Sequence, residues 1–321
     1  MKKACFTIGV FYSLLMNAQP VADFPQTEIT NGLIQAKLYL PSRNGYYRGS
    51  RFDWSGVIAR LEYKEHNYFG QWFENYNPTI HDAIMGPVED FYPVGYSEAK
   101  RGGRFIKIGI GALYKPDETG YSFSRPYVIL NPGEWRVRQK PDRVEYVHKL
   151  DDEECAYEYT KTIHLVKGKP QMVLSHSLKN NGRKTIETTV YNHNFFLIDS
   201  QATGPAFAVK FGFNLAVDGE QTSELGQVQG NQIIFLKQLA KNDHLYYKSL
   251  QGFGDDAKDY DIRVENNKTG AGVRITSDRP LSRLVFWSAA KTLCPEPYTQ
   301  VKVKPGEVFN WKIFYDFYTL N

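Results

Sequence analysis

Residues 156–193, AYEYTKTIHLVKGKPQMVLSHSLKNNGRKTIETTVYNH, alternate in character with a period of two. Tyr157, Tyr159, Lys161 and Ile163 share one face of a strand whose other face carries Ala156, Glu158, Thr160 and Thr162. The turn Lys167-Gly168-Lys169-Pro170 leads into a return strand, where Met172, Leu174, His176 and Leu178 alternate with Gln171, Val173, Ser175 and Ser177. Asn180-Asn181-Gly182 then gives an Asn-Gly hairpin signal. In the following strand Ile186, Thr188, Val190 and Asn192 oppose Glu187, Thr189, Tyr191 and His193. The spacing predicts a three-stranded meander.

The same reading predicts strands over 32–40, 56–63, 105–113, 144–149, 233–236, 272–277, 283–288 and 308–317. No window sustains apolar residues at i, i+3, i+4 and i+7 with a capping box, and only short helical turns are predicted, near 72–76 and 239–242. Strands without helices must cover one another, which predicts an all-β protein built as a large sandwich of antiparallel sheets. Pro and Gly are scattered as turn punctuation and no linker stands out, so residues 19–321 read as a single domain.

Lys2 and Lys3, an apolar run over 4–16 and a small residue at Ala18 read as an export signal over residues 1–18. The mature protein is then expected to be exported, periplasmic or secreted, and not inserted in the membrane, since no later stretch reaches the ~18–20 apolar residues a span needs. The formal net charge of +4 falls to +2 when the two lysines of the signal are removed. With no dense Lys/Arg run, nucleic acid is not the expected partner. Cys155 and Cys294 can form at most one disulfide, and no His/Cys spacing suits a metal. The acidic run over 255–261 lacks the EF-hand glycine and terminal glutamate and reads as a solvated loop. The 22 Tyr, 20 Phe and 5 Trp exceed what a catalytic site needs; most suit strand surfaces and core, and some suit a site that stacks the faces of sugars.

Tyr191-Asn192-His193-Asn194-Phe195-Phe196 is the leading candidate for chemistry: an imidazole among amides and aromatic rings, with Asp199 downstream as an orienting carboxylate. Its structural alternative is a core histidine satisfied by backbone carbonyls. Glu296 stands between Pro295 and Pro297, which restrict its backbone. A carboxylate so held suits a catalytic base; the alternative is an exposed carboxylate in a proline-rich turn.

The order of elements, the 192–196 segment, and Cys294-Pro295-Glu296-Pro297 followed by Lys304-Pro305-Gly306-Glu307 and a closing strand over 311–318 resemble the aldose 1-epimerase, or galactose mutarotase-like, superfamily. The resemblance covers residues 30 to 320 as a fold, with motif agreement at the His193 and Glu296 segments. It implies a β-supersandwich and interconversion of sugar anomers, with Glu296 as base, His193 as acid, no cofactor, and a mono- or oligosaccharide as partner. The pair should then face one cleft with room for a pyranose ring. This chain departs from the family in lacking an early Asn-Arg and a Leu-His-Gly-Gly segment. His81, Glu89 and Arg104 are candidates to replace those sugar-binding groups, although a salt bridge from Arg104 to Glu89 or Asp90 is an equal alternative. Asp259 resembles the family's late Asp-His without its histidine, and Trp287 is a candidate stacking platform with core filling as its alternative. Two other functions remain open: a non-catalytic carbohydrate-binding protein, and a polysaccharide lyase, which needs a Tyr base.

Overall fold

The computed structural model describes residues 24–152, 155–219 and 223–320, so the candidate export signal lies outside the described residues. The fold is nearly all β, with two short 3-10 turns, Ile198–Ser200 and Ala257–Asp259, among the described residues. Of the turns predicted near 72–76 and 239–242, the first is irregular chain, and the second is a single hydrogen-bonded turn closed by the Asp243 amide on the Ala240 carbonyl at 3.0 Å, not a helix. Over 72–76, Trp72 packs on Phe195, and Tyr76 hydrogen-bonds the Tyr46 carbonyl, so packing and not a helix ladder orders this segment.

Two antiparallel sheets dominate. The larger has ten strands, with Tyr157–Leu165, Gln171–Asn180 and Val308–Thr319 side by side at its centre. The smaller has five, in the order Leu245–Tyr247, Arg283–Ala289, Thr292–Val303, Ile186–His193, Val88–Phe91. The predicted meander is therefore only two strands deep. Ile186–His193 leaves its predecessor and joins the smaller sheet, because Val308–Thr319 already occupies the free edge of Gln171–Asn180. The Asn-Gly turn makes this crossing: Asn180 Nδ2 donates to the Lys184 carbonyl at 2.8 Å and to the Val303 carbonyl at 2.8 Å, tying the turn to the neighbouring sheet.

Between the two sheets lies the main apolar core, crossed by a buried polar cluster around Glu89. Register aligns Lys161 with His176 and His176 with Trp311 on the larger sheet, and Glu89 with Asn192 on the smaller. Glu89 is fully buried. It accepts from Lys161, from His176 Nε2 at 2.8 Å and from Asn192 Nδ2 at 3.0 Å. Burial, reinforced by Lys161, holds His176 well below its ordinary pKa, so the ring is neutral and donates its one N–H here. Trp311 stacks on that ring at 4.5 Å and 7°.

Removing one partner of a buried ion pair leaves the other charge uncompensated, which costs ~3–5 kcal/mol. Glu89→Gln should lower stability to urea on that scale, whereas Lys302→Ala, whose partner Glu187 is as exposed as it is, should change it by less than ~0.5 kcal/mol. An unchanged urea midpoint for Glu89→Gln would contradict this account of the core.

Candidate active site

The smaller sheet turns its other face to a cleft of ≈ 850 Å³. Strand register sets the side chains of its floor in rows. Asp90 pairs with Tyr191, Tyr191 with Tyr298 and Tyr298 with Arg283. One step along, Glu296 pairs with Val285, and continuing the same register brings His193 beside Glu296. A third row places Cys294 next to Trp287 and Trp287 next to Tyr246.

Glu296 lies inside a strand, not in the exposed turn its prolines suggested. The regular ladder between Thr292–Val303 and Ile186–His193 stops at Tyr298, directly before Pro297 and Pro295, which have no N–H to continue it. Asn194 fills part of the gap by donating from Nδ2 to the Pro295 carbonyl at 2.6 Å. Phe195 adopts φ 41°, a left-handed conformation that costs a bulky residue ~1–3 kcal/mol and persists only under strong surrounding constraint. Here the constraint is aromatic: Phe195 stacks on His193 at 3.7 Å and on Trp72 at 5.1 Å. Gly86 is required opposite, since a Cβ there would collide with the carbonyl oxygens of His193 and Asn194.

His193 Nε2 and Glu296 Oε1 are 3.3 Å apart and both side chains are buried at the cleft floor. They stand side by side and do not confront each other across a ring-sized gap, so a sugar would lie over both. Burial pushes Glu296 up to about 7; Arg51 pulls it down and Asp90 pushes it up. Burial, with Arg51 adding to it, holds His193 well below 6.5. The ring is thus neutral, not the imidazolium the sequence suggested. Arg51 itself stays charged although burial opposes it, because Tyr191 and Asp90 surround it: its Nε lies 3.1 Å from Asp90 and its Nη2 donates to the Tyr191 hydroxyl at 3.0 Å. Lys107 also donates to Asp90, from the side away from solvent.

Of the candidates read from sequence, His193, Glu296, His81 and Trp287 meet in this cleft. His81 stands on the wall, 3.2 Å from Asp82, and Trp287 meets His193 edge-on at 5.7 Å. Glu89 does not reach the cleft, because it follows the alternation of its strand to the core face while Asp90 takes the cleft face. Arg104 pairs with Asp152 at 3.2 Å, and not with Glu89 or Asp90. Asp259 accepts from the Gly254 amide at 2.6 Å in a 3-10 turn away from the cleft. Asp199 holds His66 at 2.9 Å, leaving His193 to Glu296. No disulfide joins Cys155 to Cys294, the pairing the sequence allows. Arg51, Asp90, Tyr246, Arg283 and Tyr298 were missed. Counting by twos from Glu296 finds Tyr298, and from Trp287 finds Arg283; no local signal marks Arg51, which arrives from an irregular segment.

Comparison with protein-family models and with curated proteins returns no match. Solved structures do match. A galactose mutarotase related enzyme from Lactobacillus acidophilus aligns over 92% of this chain and 98% of its own, with TM-score 0.55 and 15% identity. An aldose epimerase homologue from C. elegans aligns over 92% and 99%, with TM-score 0.53 and 14% identity. A galactose mutarotase-like protein from Lactobacillus casei aligns over 91% and 100%, with TM-score 0.54 and 11% identity. The chain has the galactose mutarotase-like fold.

Arg51 lowers the pKa of both members of the pair. Arg51→Gln should therefore raise the Glu296 midpoint above about 7 and move His193 upward as well, read by NMR titration of the labelled side chains. Midpoints that stay in place would show that Arg51 does not set the charge of this floor.

Proposed function

We propose that this protein is an aldose 1-epimerase-type enzyme that interconverts sugar anomers with His193 and Glu296 as its proton-transfer pair. The observation that supports it is their adjacency, 3.3 Å apart at the bottom of a cleft in a mutarotase-like fold. Mutarotation moves protons at O1 and at the ring oxygen O5, which are bonded to the same carbon, so two neighbouring groups suit it better than two opposed walls.

The pair's environment keeps His193 neutral and lets Glu296 hold its proton up to about pH 7, one mobile proton in all. From that state Glu296 gives its proton to O5 as the C1–O5 bond breaks, and His193 takes the O1 proton as the C1 carbonyl forms. The open chain rotates about C1–C2. O5 then attacks the other face of C1, its proton returns to the Glu296 carboxylate, and His193 returns its proton to O1. These roles reverse those read from sequence, in which Glu296 takes the O1 proton as base and a protonated His193 serves O5 as acid while the ring opens, because burial leaves the proton on Glu296 and His193 neutral. The reaction as written draws only on protein groups. The same cleft gives little support to a lyase: burial raises Tyr191 well above an ordinary phenol, away from the tyrosinate such chemistry needs. Export remains part of this proposal, on the strength of residues 1–18.

Each positioned proton transfer contributes ~10²–10⁴ in rate, so His193→Ala and Glu296→Gln should each lower kcat by that factor with KM little changed, measured by polarimetry. If neither variant loses activity, the pair is not catalytic; if the wild type accelerates no aldose yet binds glycans, the protein is a carbohydrate-binding protein. The one-proton state also fixes a pH profile. Activity should fall about tenfold per pH unit above about 7 as Glu296 loses its proton, and the acid limb should lie below 6.5. A rate that climbs through pH 7 would instead assign Glu296 a fixed role as base.

A further inference from the structure

Beside the catalytic cleft opens a second cavity of ≈ 540 Å³, and Asp82 and His244 line both. Both volumes fall in the range of ~300–1,000 Å³ typical of small-molecule sites. The proton-transfer pair serves only the first, so ring opening gives the second no role.

The second cavity has the make-up of a sugar subsite. Trp72 and Phe73 meet at 5.6 Å and 88° and present partly exposed rings, while Asn75, Gln238 and Lys241 supply polar groups at its edge. It is also built into the catalytic floor. Trp72 stacks on Phe195, which stacks on His193, and Trp72 meets Trp287 edge-on at 5.6 Å. His244, shared by the two cavities, stacks on Trp287 at 5.7 Å. Packed rings thus join the walls of the two cavities, through Trp72, Trp287 and His244.

We infer that the second cavity binds the second pyranose of a reducing oligosaccharide whose terminal ring lies over His193 and Glu296. The inference rests on the epimerase reading and narrows its substrate class from mono- or oligosaccharides to oligosaccharides with a free reducing end. Contacts remote from C1 raise kcat/KM by helping to hold the reacting ring in place.

The test compares disaccharides with their own reducing-end sugars: cellobiose, maltose and lactose against D-glucose, and 4-O-galactobiose against D-galactose. Ala202 is exposed at the cavity edge, where a larger side chain fills space without entering the core. Ala202→Trp should lower kcat/KM for the preferred disaccharide by about tenfold or more while changing the monosaccharide rate by less than about twofold, and Phe73→Ala should act in the same direction. Equal effects on both substrates, or none on either, would overturn the inference and leave the epimerase reading intact. If no sugar is turned over, the epimerase reading fails, and calorimetry with the same disaccharides decides the cavity. Binding weakened by Ala202→Trp supports it; absent or unchanged binding refutes it.

Discussion

The carboxylate of Glu89 is buried without any contact with solvent, and its three donors come from both sheets. An ionised group in that position is tolerable only while all its partners hold, since the desolvation it suffers is repaid by their geometry and by nothing else. Lys161 and His176 can reach it only if the larger sheet keeps its register, and Asn192 only if the smaller one does. Fixing Glu89 on the core side also sends its neighbour Asp90 to the opposite face, where it meets Arg51 and Tyr191. The position of the cleft's principal cation thus follows from a contact on the far side of the sheet.

The floor that results is made of strands. Its polar groups belong to rows set by cross-strand pairing, and aromatic stacking from Trp72 through Phe195 to His193 holds the imidazole ring in place. Such a floor is ordered when the protein folds, so little is lost on ordering it around a ligand. The proposed chemistry asks for little more. Burial raises one carboxyl and lowers one imidazole until the two compete for a single proton, and a reversible reaction that moves one proton out and one back fits that balance.

The strands were legible because period-two alternation survives wherever one face is buried, as over 156–163 and 171–178. Which strand lies beside which was not. Asn180-Asn181-Gly182 carries a hairpin signal, yet the partner it implies is displaced by Val308–Thr319, more than 120 residues away in sequence, and no local pattern records that competition. Proline likewise misled at Glu296. Rules for Pro in strands assume that every position needs its N–H, and Pro295 and Pro297 sit where the ladder to the neighbouring strand has ended. His193 and Glu296 could be singled out by their surroundings in sequence. Glu89 and Arg104 could not be sorted from Asp90 and Arg51, because only register tells the cleft face from the core face.

That dependence on register bears on how such a protein can change. A one-residue slip in a strand exchanges its two faces. In Thr292–Val303 it would carry Glu296 to the core and a proline to the cleft. Insertions and deletions are therefore confined to turns, and the floor can diverge only by substitution at every second position, which leaves the sheet beneath it intact. A lineage under that rule would keep its architecture while losing nearly all resemblance in sequence; the solved structures that match this chain share its fold at 11–15% identity.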